Sequence, residues 1–407
     1  MNVLNQKKLR ILLLTWEFPP HIVGGLARHT EGLSFHLQQI GVEVTVITSK
    51  ALEINLDYEN MTGIHIHRVE PLNRMDDQFL NWIGGFNLAM IQKALDLNDI
   101  HKYDIIHAHD WLVGEAAICL AKLMHIPLIT TIHATEYGRN EGIYTELQQF
   151  IHHKEFILIH ASIHIIVCSE FMKNEVGEIF ACSNEKISVI PNGIEMEEEI
   201  KENSQLLHPL LKNESRSIIF TIGRLVREKG FDLIIEAAAK MKGKDLCFVI
   251  AGVGPMHHVY EQLIKHYELE KNVYLIGFIS DEQRDLFFKH CKAAVFPSRY
   301  EPFGIVALEA MKATCPIIVS NTGGLRRLIK PFETGFIMKM NDVDSLVEQI
   351  NYILNKPETA KKFARNGKKL VSHLYNWRQI AKFTKQLYEE IHLLSSNKKE
   401  IHNLNTK

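Results

Sequence analysis

The sequence is short of the features that would take it out of the ordinary globular class. It lacks an excess of charge: 46 lysines and arginines against 48 acidic residues leave a formal charge of −2. That excludes the global basic field of a nucleic-acid or anionic-membrane binder. It lacks a long apolar run. The first one, Ile11 to Leu14 with Thr15, follows a polar segment and is too short for a signal peptide or a spanning helix. The expected compartment is the cytoplasm, with peripheral contact at the inner membrane face left open. Six cysteines (Cys119, Cys168, Cys182, Cys247, Cys291, Cys315) form no C-x-x-C pair and read as buried thiols in a reducing compartment. The 22 histidines form no tract; His107 and His109 have the spacing of a metal pair, but no third and fourth ligand is nearby, so no metal is assigned. The dinucleotide fingerprint G-x-G-x-x-G is absent.

What is present is a long alternation of strand and helix signals. A chain of 407 residues suggests two or three domains. Leu9 to Trp16 reads as a buried strand and Leu26 to Ile40 as a helix, with Gly24 and Gly25 at the turn between them. Paired glycines let a phosphate or a sugar approach the backbone, and a tight turn without ligand explains them equally well. Tyr103 to Trp111 reads as a strand with a polar end at Asp110. Pro127 to Ile132 is a strand ending in His133-Ala134-Thr135-Glu136-Tyr137-Gly138-Arg139. Polar residues at the carboxyl ends of parallel strands are where open α/β sheets bind ligands, which singles out His133.

The expected domains are 1–196 and 217–375, joined by a charged, aperiodic linker at 197–216. A returning amphipathic helix at 376–395 and a frayed polar tail at 396–407 follow. In the second half, Ser217 to Ile222 reads as a strand running into Gly223-Arg224-Leu225-Val226-Arg227-Glu228-Lys229-Gly230. Arg224 and Lys229 on this loop can clamp a diphosphate, Arg224 by bidentate contact and Lys229 as a point charge. Asp342-Val343-Asp344 matches a D-x-D metal pattern but sits before a helix and reads as its cap. The stretch around which the chain is organised is Ser298 to Met311. A helix through it would place Glu301 at the entrance and Glu309 about 12 Å further on, at nearly the same side. The helix N-terminus between them favours anions. Taken alone, the two glutamates read as a helix-end and a surface carboxylate; in this neighbourhood they suit a nucleotide-diphosphate sugar, with hydroxyls at both ends and phosphate in the middle.

These residues resemble one family over nearly the whole chain: glycosyltransferases of the GT-B fold, family 4. The resemblance rests on Gly24-Gly25, Asp104 to His109, His133, Ile190-Pro191-Asn192-Gly193, Gly223-Arg224-Leu225 with Lys229-Gly230, Gly252-Val253-Gly254-Pro255, and Glu301-Pro302-Phe303-Gly304-Ile305-Val306 through Glu309-Ala310. Thr131 to Arg139 and Pro19-Pro20 with Val23 to Leu26 look most like the glycogen-synthase-like branch. The resemblance implies two Rossmann-like, doubly wound parallel-sheet domains facing a cleft. The C-terminal one would hold a nucleotide-diphosphate sugar, a UDP- or ADP-sugar, through Gly223, Arg224, Lys229, Glu301, Phe303, Gly304, Ile305, Val306 and Glu309. The N-terminal one would hold a carbohydrate or glycoconjugate acceptor, with Gly24, Gly25, Asp110, Glu136 and Arg139 as the acceptor and phosphate loops. His133, Arg224, Lys229 and Glu301 would be catalytic, and no metal would be needed. The implied reaction moves a hexosyl unit, glucose, with retention of configuration, in polysaccharide, glucan or cell-envelope glycan synthesis. A sugar-nucleotide epimerase of the same fold and a non-catalytic carbohydrate-binding protein are the competing readings.

Overall fold

The computed structural model describes residues 8–50, 56–72, 78–196, 208–213 and 215–405. The run Glu197-Glu198-Glu199, expected to be solvated linker, lies outside them. The chain forms two compact units: unit 1 is Met1–Gly193 with Trp377–Lys407, and unit 2 is Ile194–Asn376.

Unit 1 is built on an eight-stranded sheet. Its strands are β1 (Arg10–Leu14), β2 (Glu43–Ser49), β3 (Tyr58–Met61), β4 (Ile64–Val69), β5 (Ile105–His109), β6 (Leu128–Ile132), β7 (His164–Val167) and β8 (Ile187–Val189). Their order is β3-β4-β2-β1-β5-β6-β7-β8. All neighbours are parallel except β3 and β4, a hairpin. A central parallel strand is covered on both faces, so its sequence is apolar throughout. In β1, Ile11, Leu12, Leu13 and Leu14 are all fully buried. Alternate residues feed two cores: Ile11 and Leu13 join Leu33 and Leu37 on one face, while Leu12 and Leu14 join Phe86, Met90 and Leu120 on the other. Order reverses between β1 and β5, because the helix Gly25–Gln39 leads from β1 to β2 and the helix Gly114–Met124 leads from β5 to β6. The last helix, Trp377–Asn405, packs on the same unit, with Trp377, Ile380, Tyr388 and Ile391 buried in its core.

Unit 2 carries six parallel strands: β9 (Ser217–Ile222), β10 (Leu246–Ala251), β11 (Val273–Leu275), β12 (Ala293–Phe296), β13 (Ile317–Ser320) and β14 (Phe336–Met338). They run in the order β11-β10-β9-β12-β13-β14, so this sheet reverses between β9 and β12. Its helices bury Phe231, Ile234, Tyr260, Leu346 and Ile350 against strand residues Phe248, Ile250 and Val295. No described helix is long and apolar enough to cross a membrane.

Three details differ from the sequence expectation. The tail is not frayed at residue 396: the helix continues to Asn405, since no glycine or proline interrupts 377–405. The helix Glu146–Ala161 was not expected, although Thr145 and Gln148 form a complete capping box at its start. The helix after β12 begins only at Ile305, so Glu301 lies on the preceding loop. The 12 Å helical spacing between Glu301 and Glu309 therefore does not apply. Gly304, in the left-handed region at φ 101°, is the break.

Candidate active site

In unit 2 the loops after β9 and β12 flank the point where strand order reverses, the place where open parallel sheets bind ligands. The first loop carries Gly223 and Arg224 and ends in a short 3₁₀ turn, Arg227–Lys229, before the helix Phe231–Lys240. Gly230 joins turn to helix at φ 67°, and a Cβ there would meet the Pro297 carbonyl oxygen at 2.3 Å. Only glycine permits that approach. The two loops are thereby pressed together, and Lys229 Nζ donates to Glu301 Oε2 at 2.6 Å across 72 residues of sequence. Ser298 Oγ donates to the same oxygen at 3.2 Å. Arg224 is half-exposed, with its guanidinium 3.6 Å from Glu228.

The Glu301 loop is itself held from behind. Gly323, at φ 48°, brings its backbone so close that a Cβ would lie 2.1 Å from the Glu301 carbonyl oxygen. The next amide, Gly324 N–H, donates to that oxygen at 2.9 Å. Ile305 and Val306 form the first turn of the helix Ile305–Lys312, whose N-terminus favours an anion. Phe303 is buried, its ring 5.8 Å from that of Tyr375. It serves the unit's packing.

Glu309 is neither solvated nor lone. It is 8% exposed, and its Oε1 accepts from Arg284 at 2.9 Å. Arg284 also donates to Asp281 at 3.1 Å and to Asp285 at 2.7 Å. Burial works against the guanidinium charge, but Glu309, Asp285 and Asp281 outweigh it and hold the group above its ordinary pKa. Asp342 caps the helix Val343–Asn355, accepting from Ser345 N–H at 2.9 Å, and Asp344 pairs with Lys240 at 2.5 Å. The D-x-D residues are structural, as their placement suggested.

In unit 1 the reversal point is bordered by the ends of β1, β5 and β6. His133 stands one residue beyond β6, and its N–H donates to Asp110 Oδ1 at 2.8 Å. Asp110 turns the chain at φ 60°. Burial raises its carboxyl to about 6, against the opposing pull of Arg139. His133 Nε2 meets His109 Nδ1 at 3.1 Å. His29, on the helix Gly25–Gln39, packs edge-on against His133 at 4.7 Å and has Nδ1 2.8 Å from Asn192 Oδ1. Burial pushes His133 down to about 3, assisted by Arg139, and takes His29 and His109 well below their ordinary values. The cluster is neutral at physiological pH: it can exchange hydrogen bonds but offers no cation.

His29, His109 and His133 each present a ring nitrogen, all within 4.8 Å of one another. The expectation that no third ligand is near His109 is thus corrected; the fold gathers His29 from a helix and His133 from the loop after β6. His109 Nδ1 and His133 Nε2 meet each other and His29 Nδ1 faces Asn192, while His29 Nε2 and His109 Nε2 are buried without a partner and no fourth ligand joins the group among the described residues. His107, the other member of the expected pair, bonds elsewhere, to Tyr388 at 2.6 Å and Thr131 at 2.7 Å.

The glycine turn is also more occupied than expected. Buried Glu17 accepts from Val23 N–H at 2.6 Å and from Gly24 N–H at 3.0 Å. A carboxylate of the protein thus holds the amides of the turn, while Gly25 opens the helix beyond. Glu136 and Arg139 lie on the short helix Glu136–Asn140, capped by Thr135. Glu136 N–H donates to Glu155 Oε1 at 2.9 Å. Burial raises the Glu155 carboxyl to about 8.

No local signal marks His29, Glu155 or Arg284 as members of these groups. His29 follows from no local motif. Glu155 sits on the unexpected helix, and Arg284 lies amid the exposed-looking pattern of Asp281–His290.

Two Rossmann-like units with polar loops at both reversal points define an architecture of the GT-B type, and comparison with known proteins names the family. The model for glycosyl transferases group 1 matches residues 203–370, and that for glycosyltransferase family 4 matches 23–198. The chain is 34% identical over 388 residues to an uncharacterized glycosyltransferase of Methanocaldococcus jannaschii, covering 94% of this chain and 98% of the relative. It is 31% identical over 401 residues to a glycogen synthase of Mycobacterium tuberculosis, covering 93% and 94%. Among solved structures it is similar to a sucrose-phosphate synthase from Thermosynechococcus elongatus, with TM-score 0.82, 22% identity and coverage of 95% and 100%. Anabaena HepE in complex with UDP-glucose gives TM-score 0.74 at 18% identity, covering 94% and 100%. The catalytic domain of Arabidopsis thaliana starch synthase IV, bound to ADP and acarbose, gives 0.75 at 20%, covering 95% and 100%. The chain belongs to glycosyltransferase family 4 and is a hexosyltransferase.

Proposed function

We propose that this protein transfers a glucosyl unit, with retention of configuration, from UDP- or ADP-glucose to a carbohydrate or glycoconjugate acceptor in polysaccharide biosynthesis. Unit 2 takes the donor and unit 1 the acceptor. The observation that carries the reading is the meeting of Lys229 with Glu301 at the reversal point of the second sheet, 2.6 Å apart. A cation and a carboxylate side by side support a diphosphate at Lys229 and a sugar at Glu301. Arg224 adds a second, more exposed cation on the same loop. Relatives whose names and titles mention glycogen, UDP-glucose and ADP support this choice of substrate class.

In this reading Arg224 and Lys229 neutralise the departing diphosphate, which is where charge grows in the transition state. Glu301 faces the sugar as its ring gains positive character. Glu309 receives the ribose hydroxyls. No enzymic nucleophile is invoked: the acceptor hydroxyl attacks on the face from which the diphosphate leaves, and a phosphate oxygen takes its proton. His133, neutral and fixed through Asp110 and His109, supplies a hydrogen bond rather than charge.

The test is incubation with a panel of nucleotide sugars and neutral glycan acceptors, following nucleoside diphosphate release and product by mass spectrometry. Glucosyl transfer from UDP- or ADP-glucose, reduced at least about tenfold in Lys229→Met by the loss of a charged contact, is expected. Release of diphosphate from neither donor, or an undiminished Lys229→Met, would overturn the proposal.

A further inference from the structure

Three imidazoles from three separate elements converge in unit 1. His29 lies on the helix Gly25–Gln39, His109 ends β5 and His133 follows β6. Each offers a ring nitrogen, and the three nitrogens lie within 4.8 Å of one another. His29 Nε2 and His109 Nε2 are buried with no hydrogen-bond partner. Most buried polar atoms in native proteins are satisfied, so two orphaned nitrogens in one cluster point to a missing partner.

The tautomer of His29 is set by its neighbour. Its Nδ1 faces Asn192 Oδ1 at 2.8 Å, and a carboxamide oxygen only accepts. Nδ1 therefore carries the proton, and Nε2 presents a bare lone pair. Metal-binding histidines are arranged this way: one nitrogen donates to an oxygen, which fixes the ring and leaves the other for the ion. Trp377 packs edge-on against the same ring at 5.5 Å and limits its rotation. His109 Nδ1 and His133 Nε2, 3.1 Å apart, share a single proton, so one of them is also a lone-pair donor. Burial keeps all three rings neutral, the form in which imidazole coordinates. His107 is adjacent to His109, but Tyr388 and Thr131 engage both its nitrogens, and it stays outside the set.

Neutral nitrogen donors select the ion. Imidazole suits zinc and its first-row neighbours, whereas magnesium and calcium take oxygen ligands. Zinc binds imidazole nitrogen at roughly 2.0–2.1 Å, which sets tetrahedral ligands about 3.3 Å apart. The rings then need to draw in by about 1.5 Å at most. Three histidines with the fourth position left to water is a known zinc arrangement. His29 and His109 are buried and His133 is half-buried, so an ion enters past His133. A buried water is the bland alternative partner for the orphaned nitrogens, and it predicts no affinity for metal.

We infer that His29, His109 and His133 form a site for one divalent transition-metal ion of the zinc class, whose occupation inhibits transfer by taking His133 out of the reaction. The inhibition rests on the proposed role of His133; the binding does not.

The test uses the full chain stripped with chelator and without donor, titrated with zinc chloride by calorimetry and with cobalt(II) by visible spectroscopy. One zinc ion should bind per chain, cobalt should give the intense visible bands of a four-coordinate site that zinc then abolishes, and magnesium should not bind. His29→Gln should weaken zinc by at least about a hundredfold, beyond the roughly tenfold to hundredfold lost when a residue that only orients a ligand is changed. His258→Ala removes an exposed imidazole beside Glu261 and should change nothing. Thermal melting checks the variants, and the parent's cobalt spectrum decides the matter if His29→Gln does not fold. No stoichiometric binding, only the weak bands of six-coordinate cobalt, equal binding of magnesium, undiminished affinity in folded His29→Gln, or loss of the site in His258→Ala would each overturn it. Transfer measured in buffered free zinc should fall in step with occupancy and return with chelator; full activity at saturation would overturn the inhibition. A metal-free chain that transfers from no donor would strike the proposed function instead, while calorimetry still decides the metal site.

Discussion

Replacing Glu309 by glutamine tests the site and the fold around it in one experiment. The side chain keeps its shape and can still present a carbonyl oxygen to Arg284, but the charge is gone. In the parent, Arg284 is surrounded by three carboxylates and Glu309 contributes one contact at 2.9 Å. Charged hydrogen bonds contribute roughly 1.5–3 kcal/mol and neutral ones about half that. Because Asp281 and Asp285 remain, the change falls short of the roughly 3–5 kcal/mol expected when a buried charge loses every partner. A destabilisation of about 1–2 kcal/mol is therefore expected for Glu309→Gln. Urea denaturation by far-ultraviolet circular dichroism measures it. Hydrogen exchange in the helices Asp281–His290 and Ile305–Lys312 localises it. Calorimetry with UDP and ADP then reads the second role: losing a charged acceptor for ribose should lower nucleotide affinity about tenfold to a hundredfold. Stability within about 0.5 kcal/mol of the parent, inside the usual range for a surface substitution, would refute the buried-pair reasoning. A normal destabilisation with unchanged nucleotide affinity would show that Glu309 supports the fold and does not recognise the donor.

Three further outcomes follow from the same geometry. Glu301→Gln should lower kcat about tenfold to a hundredfold while leaving UDP or ADP binding within about twofold, because its interaction strengthens only as the sugar gains charge; equal loss in both measurements would defeat that division of roles. Transfer should survive excess chelator, since Arg224 and Lys229 supply the positive charge; a loss restored by a divalent ion would place a metal in the mechanism, with the His29–His109–His133 cluster the first place to look. For Glu155 the folded carboxyl titrates near 8 against an ordinary 4.5, so the folded state holds a proton that the unfolded state has already released. Stability should therefore be greatest below the ordinary value and decline as pH rises through that window. Glu155→Gln should flatten this slope in urea titrations from pH 5 to pH 9, and an unchanged slope would remove Glu155 as its source.

What was legible in the sequence follows a physical rule. Parallel strands such as Arg10–Leu14 and Leu246–Ala251 announce themselves because burial on both faces demands an unbroken apolar run. The cap at Asp342 was legible because capping is a contact between near neighbours in sequence. Contacts made by the third dimension were not legible. Nothing near His133 says that His29 will pack against it, and nothing near Lys229 fixes a distance to Glu301. Those meetings depend on how far loop and helix project beyond the sheet. The helical spacing proposed for Glu301 and Glu309 failed for a related reason. The left-handed break at Gly304 removes Glu301 from the helix whose rise sets that spacing.

The pairing of Lys229 with Glu301 also limits how tightly the donor-free site can be held. The side chains are 24% and 14% exposed, and partly exposed ion pairs contribute at most about 1 kcal/mol. A diphosphate carries more charge than one carboxylate and can take Lys229 away at little cost. Glu301 would then keep Ser298 Oγ as a partner and turn its released charge toward the sugar. In the proposed reaction the group that recognises the leaving diphosphate therefore also sets whether Glu301 is free to act. A sugar lacking the diphosphate would leave Glu301 neutralised by Lys229. The protein would thus couple stabilisation of the sugar to occupation of the phosphate site, using a contact that the crowded glycines Gly230 and Gly323 hold in place.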